Sequence, residues 1–328
     1  DMTNVWNEND RVTAMAFFNG AWIVFGTNNI AIYTDGKGSA KGISPTQAYL
    51  ADTITGVGCV SQKTIQYVEG DLWFLSQHGL QSFSRLVQQR SNPLENLSAN
   101  VRDTFINEIA SATAANIRTV YSPEEQFYLV SFPTLSATGD GSTDAGKVWY
   151  FDTRMRMETG ATRVATWNGL VPRAMVHRKS GQLVMARYSQ PGKVGEYATY
   201  QDNAVDFTFV FETGWLDMGV GEFIKIPKRL RATIYASQSQ TLLFKWAYNF
   251  SSSFKTQSVS LVAQSTSAEW GIGEWGLGEF GGGLNLMEKS AQSTGSGRVI
   301  KLGLQLSSNN NQFSVQDLDL YAKIGRMV

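Results

Sequence analysis

Phe17-Phe18-Asn19-Gly20-Ala21-Trp22-Ile23-Val24-Phe25-Gly26-Thr27-Asn28-Asn29-Ile30-Ala31-Ile32-Tyr33 decides how the rest of the chain is read. Asn-Gly supplies the positive-φ positions of a tight hairpin turn, and apolar, aromatic residues flank it on both sides. Gly26-Thr27-Asn28-Asn29 turns the chain again, and Asp35-Gly36 closes the third strand. A three-strand meander is therefore predicted. With one apolar face or both, such a ribbon needs a neighbour to bury it.

The same pattern recurs outward from this stretch. Thr64 to Val68, Asp71 to Leu75 and Leu80 to Phe83 make a second meander around Glu69-Gly70 and His78-Gly79. Arg118 to Tyr121, Gln126 to Phe132 and Lys147 to Asp152 make a third, and Ala174 to His177, Gln182 to Ala186 and Lys193 to Tyr197 a fourth. The middle strands centre near Trp22, Trp73, Phe127 and Leu183, roughly 50 residues apart, a spacing in the range of β-propeller blades. The rival is a meander sandwich, whose units need no fixed period. Residues 1–202 are expected to form a β-propeller-like region; four units are few for a closed ring, which leaves further blades to be sought upstream or downstream of them. One helix is predicted from Ser98 to about Ala112, with Val101, Phe105, Ile106 and Ile109 on one side.

From residue 203 the character changes. Phe207, Phe209 and Phe211 alternate strictly, and a long alternating strand runs from Phe223 to Tyr235. Leu242 to Tyr248, Val259 to Val262, Val299 to Leu306 and Phe313 to Ala322 follow. Residues 203–328 read as an antiparallel β-sandwich. The fold class expected is thus all-β: propeller-like meander blades, then a sandwich, with one short helix.

Composition narrows the function classes. Lys plus Arg is 28 and Asp plus Glu is 28, so the formal net charge is zero, and only 17% of residues are charged. Such a chain has no overall charge to drive phosphate binding, and 42% hydrophobic residues are too many for a disordered one. Scattered glycine without heptads excludes a coiled coil. A single cysteine, Cys59, excludes a disulfide framework within the chain, and with only His78 and His177 beside it a Cys/His zinc site is not expected. No apolar run reaches the roughly 18 residues of a membrane span. The chain opens Asp1-Met2-Thr3, with no signal-peptide pattern, so an upstream part is open. Few charges and many aromatics suggest a surface largely covered by other subunits.

Catalytic constellations are not found. There is no Gly-x-Ser-x-Gly and no phosphate-cradling loop, and both histidines read as surface turn residues. Asp317 and Asp319 share one side of an alternating strand, as cation ligands or, more simply, as a solvated face. Asp140 and Asp144 sit in a glycine-rich stretch that lacks the closing Glu of a calcium loop. No catalytic, metal or cofactor residue is assigned. In Glu269–Gly281 an aromatic recurs every fifth residue, preceded by Glu and followed by Gly. Trp270, Trp275 and Phe280 are read as plugs of their own sandwich or as anchors in a subunit interface, with a sugar-stacking platform as a third reading. The densest basic run puts Lys225, Arg229 and Arg231 on one face with Thr233, and Ile226, Leu230, Ile234 and Lys228 inward. This basic face is either solvated or a track for phosphates.

The run Trp22 to Tyr33 resembles a hairpin of the tail hub or nozzle (tail tubular) proteins of short-tailed bacteriophages. Gly58-Cys59-Val60-Ser61, Asp71-Leu72-Trp73-Phe74-Leu75-Ser76 with Gly79-Leu80, and Leu97-Ser98-Ala99-Asn100-Val101 are similar to it in turn. So are the Trp-Gly repeats and the closing strands from Gly297-Arg298-Val299-Ile300 to Tyr321-Ala322-Lys323. Each motif is structural; their order is the stronger signal. The resemblance implies a virion tail subunit assembling as a ring, commonly a hexamer, between the portal and adaptor layers and distal tail parts. Genomic DNA would pass through its lumen without specific binding. The family carries no catalytic residue or cofactor to transfer, and its members are often considerably longer. The alternative is a carbohydrate-binding propeller module for a host glycan; a sugar-cleaving propeller and a monomeric intracellular adaptor are further rivals.

Overall fold

The computed structural model describes residues 10–36, 44, 46–89, 96–134, 146–167, 171–178, 181, 183–186, 194–196, 201, 206–236, 240–261 and 285–327. The chain divides into two compact units, Asp1–Tyr197 and Ala198–Val328, close to the change of character expected at 203.

In the first unit each strand pairs antiparallel with its chain neighbour. Strands β1 (Ala14–Phe18), β2 (Ala21–Phe25), β3 (Asn29–Thr34) and β4 (Tyr49–Thr55) form the first sheet, and β5 (Gln66–Val68), β6 (Asp71–Ser76) and β7 (Gly79–Ser82) the second. The third holds β8 (Arg118–Ser122), β9 (Phe127–Pro133), β10 (Gly146–Arg156) and β11 (Thr162–Trp167), and the fourth β12 (Ala174–His177), β13 (Leu183–Ala186) and β14 (Val194–Glu196). These are the propeller-like blades read from the sequence, with β4 and β11 added as fourth strands. Asn19 and Gly20 both have positive φ, as do Glu69 and Gly70, so the short hairpin turns match the right-handed twist of their strands.

Among the described residues two α-helices accompany the sheets. The predicted one is α2 (Arg102–Ser111), which buries Phe105 and Ile109. Ser98 does not cap it. Its hydroxyl instead accepts the Leu80 N–H and donates to Asn96 Oδ1, tying the helix approach to β7. A second helix, α1 (Phe83–Gln89), starts where a strand was expected to end, because Phe83 and Leu86, three residues apart, both reach the core.

The sheets stack through alternate side chains. On β6, Leu72 and Phe74 pack with Phe25, Ile30 and Ile54 of the first sheet. Trp73 and Leu75, on the opposite face, pack with Tyr128, Val130 and Phe151 of the third sheet and with Phe105. Strand β9 repeats the arrangement, with Phe127 and Leu129 facing Leu183 and Met185 of the fourth sheet. A sheet buried on both faces must be apolar at both parities, which is why Leu72-Trp73-Phe74-Leu75 and Phe127-Tyr128-Leu129-Val130 read as continuous runs. Each such side chain contributes about 1.5–3 kcal/mol by burial.

The second unit is an antiparallel sandwich. Its strands are β15 (Thr208–Glu212), β16 (Phe223–Ala236), β17 (Gln240–Tyr248), β18 (Lys255–Leu261), β19 (Asn285–Gln292), β20 (Ile300–Ser307) and β21 (Phe313–Met327). One sheet runs β15-β20-β17-β18 and the other β19-β16-β21. Leu230, Ala232, Ile234 and Ala236 of β16 meet Leu242, Phe244 and Trp246 of β17 and Leu302, Leu304 and Leu306 of β20 in one buried core.

Candidate functional site

The basic run on β16 is the one predicted site that lies within the described residues. Pairing of β16 with β21 goes from Pro227↔Ala322 to Arg229↔Tyr321, so Lys228 is an extra, bulged residue. A bulge reverses the parity of everything before it. The expectation that Lys225 shares a face with Arg229 and Arg231 is therefore corrected: Lys225 is fully buried. Its Nζ donates to the carbonyl oxygens of Val220 at 2.6 Å and Arg298 at 2.7 Å. Lys228, expected inward, is exposed. Lys225 fastens two backbone segments and offers nothing to a ligand.

Arg229 and Arg231 do share a face, each beside Tyr321. Their guanidinium carbons lie 4.6 and 5.6 Å from the centre of its ring. Arg231 donates to Asp319 through Nε at 2.8 Å, its Nη2 lies 2.6 Å from the same carboxylate, and Glu288 stands 3.5 Å away. The Asp319 hydrogen bond holds the Arg231 guanidinium above its ordinary pKa. With two carboxylates around one guanidinium, little positive potential is left for a phosphate.

Asp317 and Asp319 share one side of β21, as read, but take different partners. Asp319 binds Arg231, whereas Asp317 pairs in register with Thr233 and accepts the Leu318 N–H. Among the described residues no group of three or more His, Cys, Asp or Glu could hold a metal ion. His78 lies in the β6–β7 turn, as read. His177 does not lie in a turn: it ends β12 opposite Leu183, with Nε2 buried and without a hydrogen-bond partner among the described residues. Cys59 is buried, its Sγ donating to Ser61 O, and burial pushes its thiol up to about 11. Trp270, Trp275, Phe280, Asp140 and Asp144 lie outside the described residues.

One charged cluster escaped the sequence reading. Glu212 accepts from Lys245 and Lys301, each at 2.7 Å, and both ammonium groups lie over the Phe254 ring. Burial alone would raise the Glu212 pKa, but the two lysines together hold it below the ordinary value. Glu212, Lys245 and Lys301 come from β15, β17 and β20, so only the strand order brings these three together.

The fold defines an all-β protein of stacked meander sheets joined to an antiparallel sandwich. No family model and no curated protein matches the sequence. Similar solved structures include an exo-β-1,3-galactanase from Phanerochaete chrysosporium, at 10% identity and TM-score 0.23, covering 93% of this chain and 80% of the other. An arabinoxylan arabinofuranohydrolase of glycoside hydrolase family 43 from Bacillus subtilis is 9% identical at TM-score 0.25, over 97% of this chain and 68% of the other. A Cry1Da tryptic core variant from Bacillus thuringiensis is 9% identical at TM-score 0.22, over 95% of this chain and 52% of the other. Likenesses at this level assign no activity. Among the described residues no helix is long and apolar enough to cross a membrane.

Proposed function

We propose that this chain is a structural subunit of a bacteriophage tail, of the hub or nozzle kind, which builds a ring section through which genomic DNA passes. Its partners are copies of itself, commonly six, with portal or adaptor proteins on one side and distal tail parts on the other. The reading rests on the ordered succession of motifs that resembles that family. The observation that supports it best is the chemistry of those motifs. Trp22 to Tyr33, Leu72 to Leu75 and Leu97 to Val101 occupy strands, turns and helix approaches, and their buried members serve packing. Sheets that bury both faces suit a part that bears load rather than one that moves. The pairing of Arg231 with Asp319 and Glu288 suits a wall along which DNA slides without being held. Mass measurement in solution with negative-stain imaging tests the reading. A ring of several copies is expected; a lone particle that is retained by, or cleaves, a glycan overturns it.

A further inference from the structure

Strands β19, β16 and β21 set their outward side chains in rows across the sheet, since Leu230, Ala232 and Ile234 turn into the core. Arg229 stands beside Tyr321, Arg231 beside Asp319, and Thr233 between Glu288 and Asp317. This face is open. None of these side chains is buried, and Leu286 beyond them is 57% exposed. Charge is unevenly spread along it. At one end stand the carboxylates, two of which already hold Arg231. The Arg229 end is cationic. Lys323, two residues from Tyr321 on the same side of β21, and the bulged Lys228 are both exposed there. Among the described residues no carboxylate pairs with Lys228, Arg229 or Lys323. Arg229 is held instead by the Tyr321 ring, 4.6 Å from its guanidinium carbon, which positions the cation without neutralising it.

We infer that this cationic end of the sheet is where the chain touches the phosphodiester backbone of duplex DNA. Three features point to that partner. A positioned guanidinium with its charge unspent, next to two ammonium groups, is the donor set that phosphate oxygens take up. The cations stand on an uncovered sheet face rather than in a turn, so a long polyanion can reach all three together. The carboxylates begin with the very next row, at Asp319, so the attraction is confined to one end of the face. Contact there is independent of base sequence, and so few cations release few counterions, which leaves it weak and easily loosened by salt. A moving duplex would be brushed, not gripped. This inference deepens the conduit reading above, since it names the face that meets the DNA, and rests on that reading for the choice of DNA over other polyanions.

The test is the anisotropy of a short labelled DNA duplex titrated with the whole chain across a range of salt. Arg229→Ala is expected to weaken binding about tenfold at low salt. The Lys228→Ala/Arg229→Ala/Lys323→Ala variant is expected to lower the salt slope by about 1 for each cation removed. Lys63→Ala removes an exposed cation from the other unit and is expected to change neither quantity. Unfolding midpoints of all these variants should match that of the parent chain. A parent that does not bind the duplex, or a triple variant with parental affinity and slope, overturns the inference; rings seen in the same preparation leave the conduit reading standing. Losses equalled by Lys63→Ala overturn it too, since the charge would then act diffusely. A chain that binds polyglutamate but not the duplex makes the face a dock for acidic protein and overturns it. A lone particle that shows the expected losses supports the phosphate contact and removes the ring.

Discussion

The side-chain amide of Gln62 hydrogen-bonds the backbone of Met15 in both directions, the Met15 N–H donating to Oε1 at 2.7 Å and Nε2 donating to the Met15 carbonyl at 3.0 Å. An amide placed this way imitates one residue of a missing strand. Tyr67 adds a second stop, its hydroxyl donating to Phe17 O at 2.6 Å. Unpaired edges template aggregation. Gln62→Ala is expected to change folding stability by about 1 kcal/mol or less, yet to raise light scattering on concentration. Scattering equal to that of the parent chain would show that the edge needs no guard.

Cys59 is expected to be chemically silent in the folded protein. Its thiol is neutral because burial disfavours the thiolate, and thiolate is the reactive form. Alkylation at neutral pH should be negligible under native conditions and complete in denaturant. The folded pKa is raised, so the stabilisation is fully present below the ordinary thiol value. It is lost as pH climbs towards about 11. Rapid native labelling would contradict the burial.

Glu212 works in the opposite sense. Its pKa is depressed in the folded state, so its contribution is present above the ordinary carboxylate value and disappears as pH falls through the folded one. Glu212→Gln should cost about 1 kcal/mol or less at neutral pH, since the pair with two lysines is partly solvated. Denaturant titrations of the two proteins should converge in acid. A difference that persists at pH 2 would assign the effect to packing.

The charge of Arg231 can be released. Asp319→Asn removes its shortest partner, leaving Glu288 at 3.5 Å. The variant is expected to be retained on DNA at low salt more than the parent chain, with retention falling as salt rises. Equal retention would mean that the carboxylate does not set the charge of this face.

Much of the fold was legible because turns and parity are local. Asn19-Gly20 and the double-parity runs of β6 and β9 announce stacked sheets without any knowledge of their neighbours. Strand β4 was not, since Asp52, Thr53 and Thr55 break its apolar alternation. Helix α1 was hidden because Phe83 continues the pattern of β7. The fate of Lys225 depends on the bulge at Lys228, which exists only through pairing with Ala322 and Tyr321, far along the chain. The lysine cluster around Glu212 has the same cause. Residue type was visible there and proximity was not.

Strands that are greasy on both sides carry a hazard of their own. In an ordinary half-wet ribbon, slipping by one position drags polar groups inside, and that penalty enforces alignment. Were β6 to slip, Leu72 and Phe74 would merely trade places with Trp73 and Leu75, and no polar group would be stranded in midstrand. Correct alignment must come from ring shape and from isolated polar pegs. The fully buried Tyr128, whose hydroxyl meets Thr64 O at 2.6 Å, is such a peg between adjacent layers.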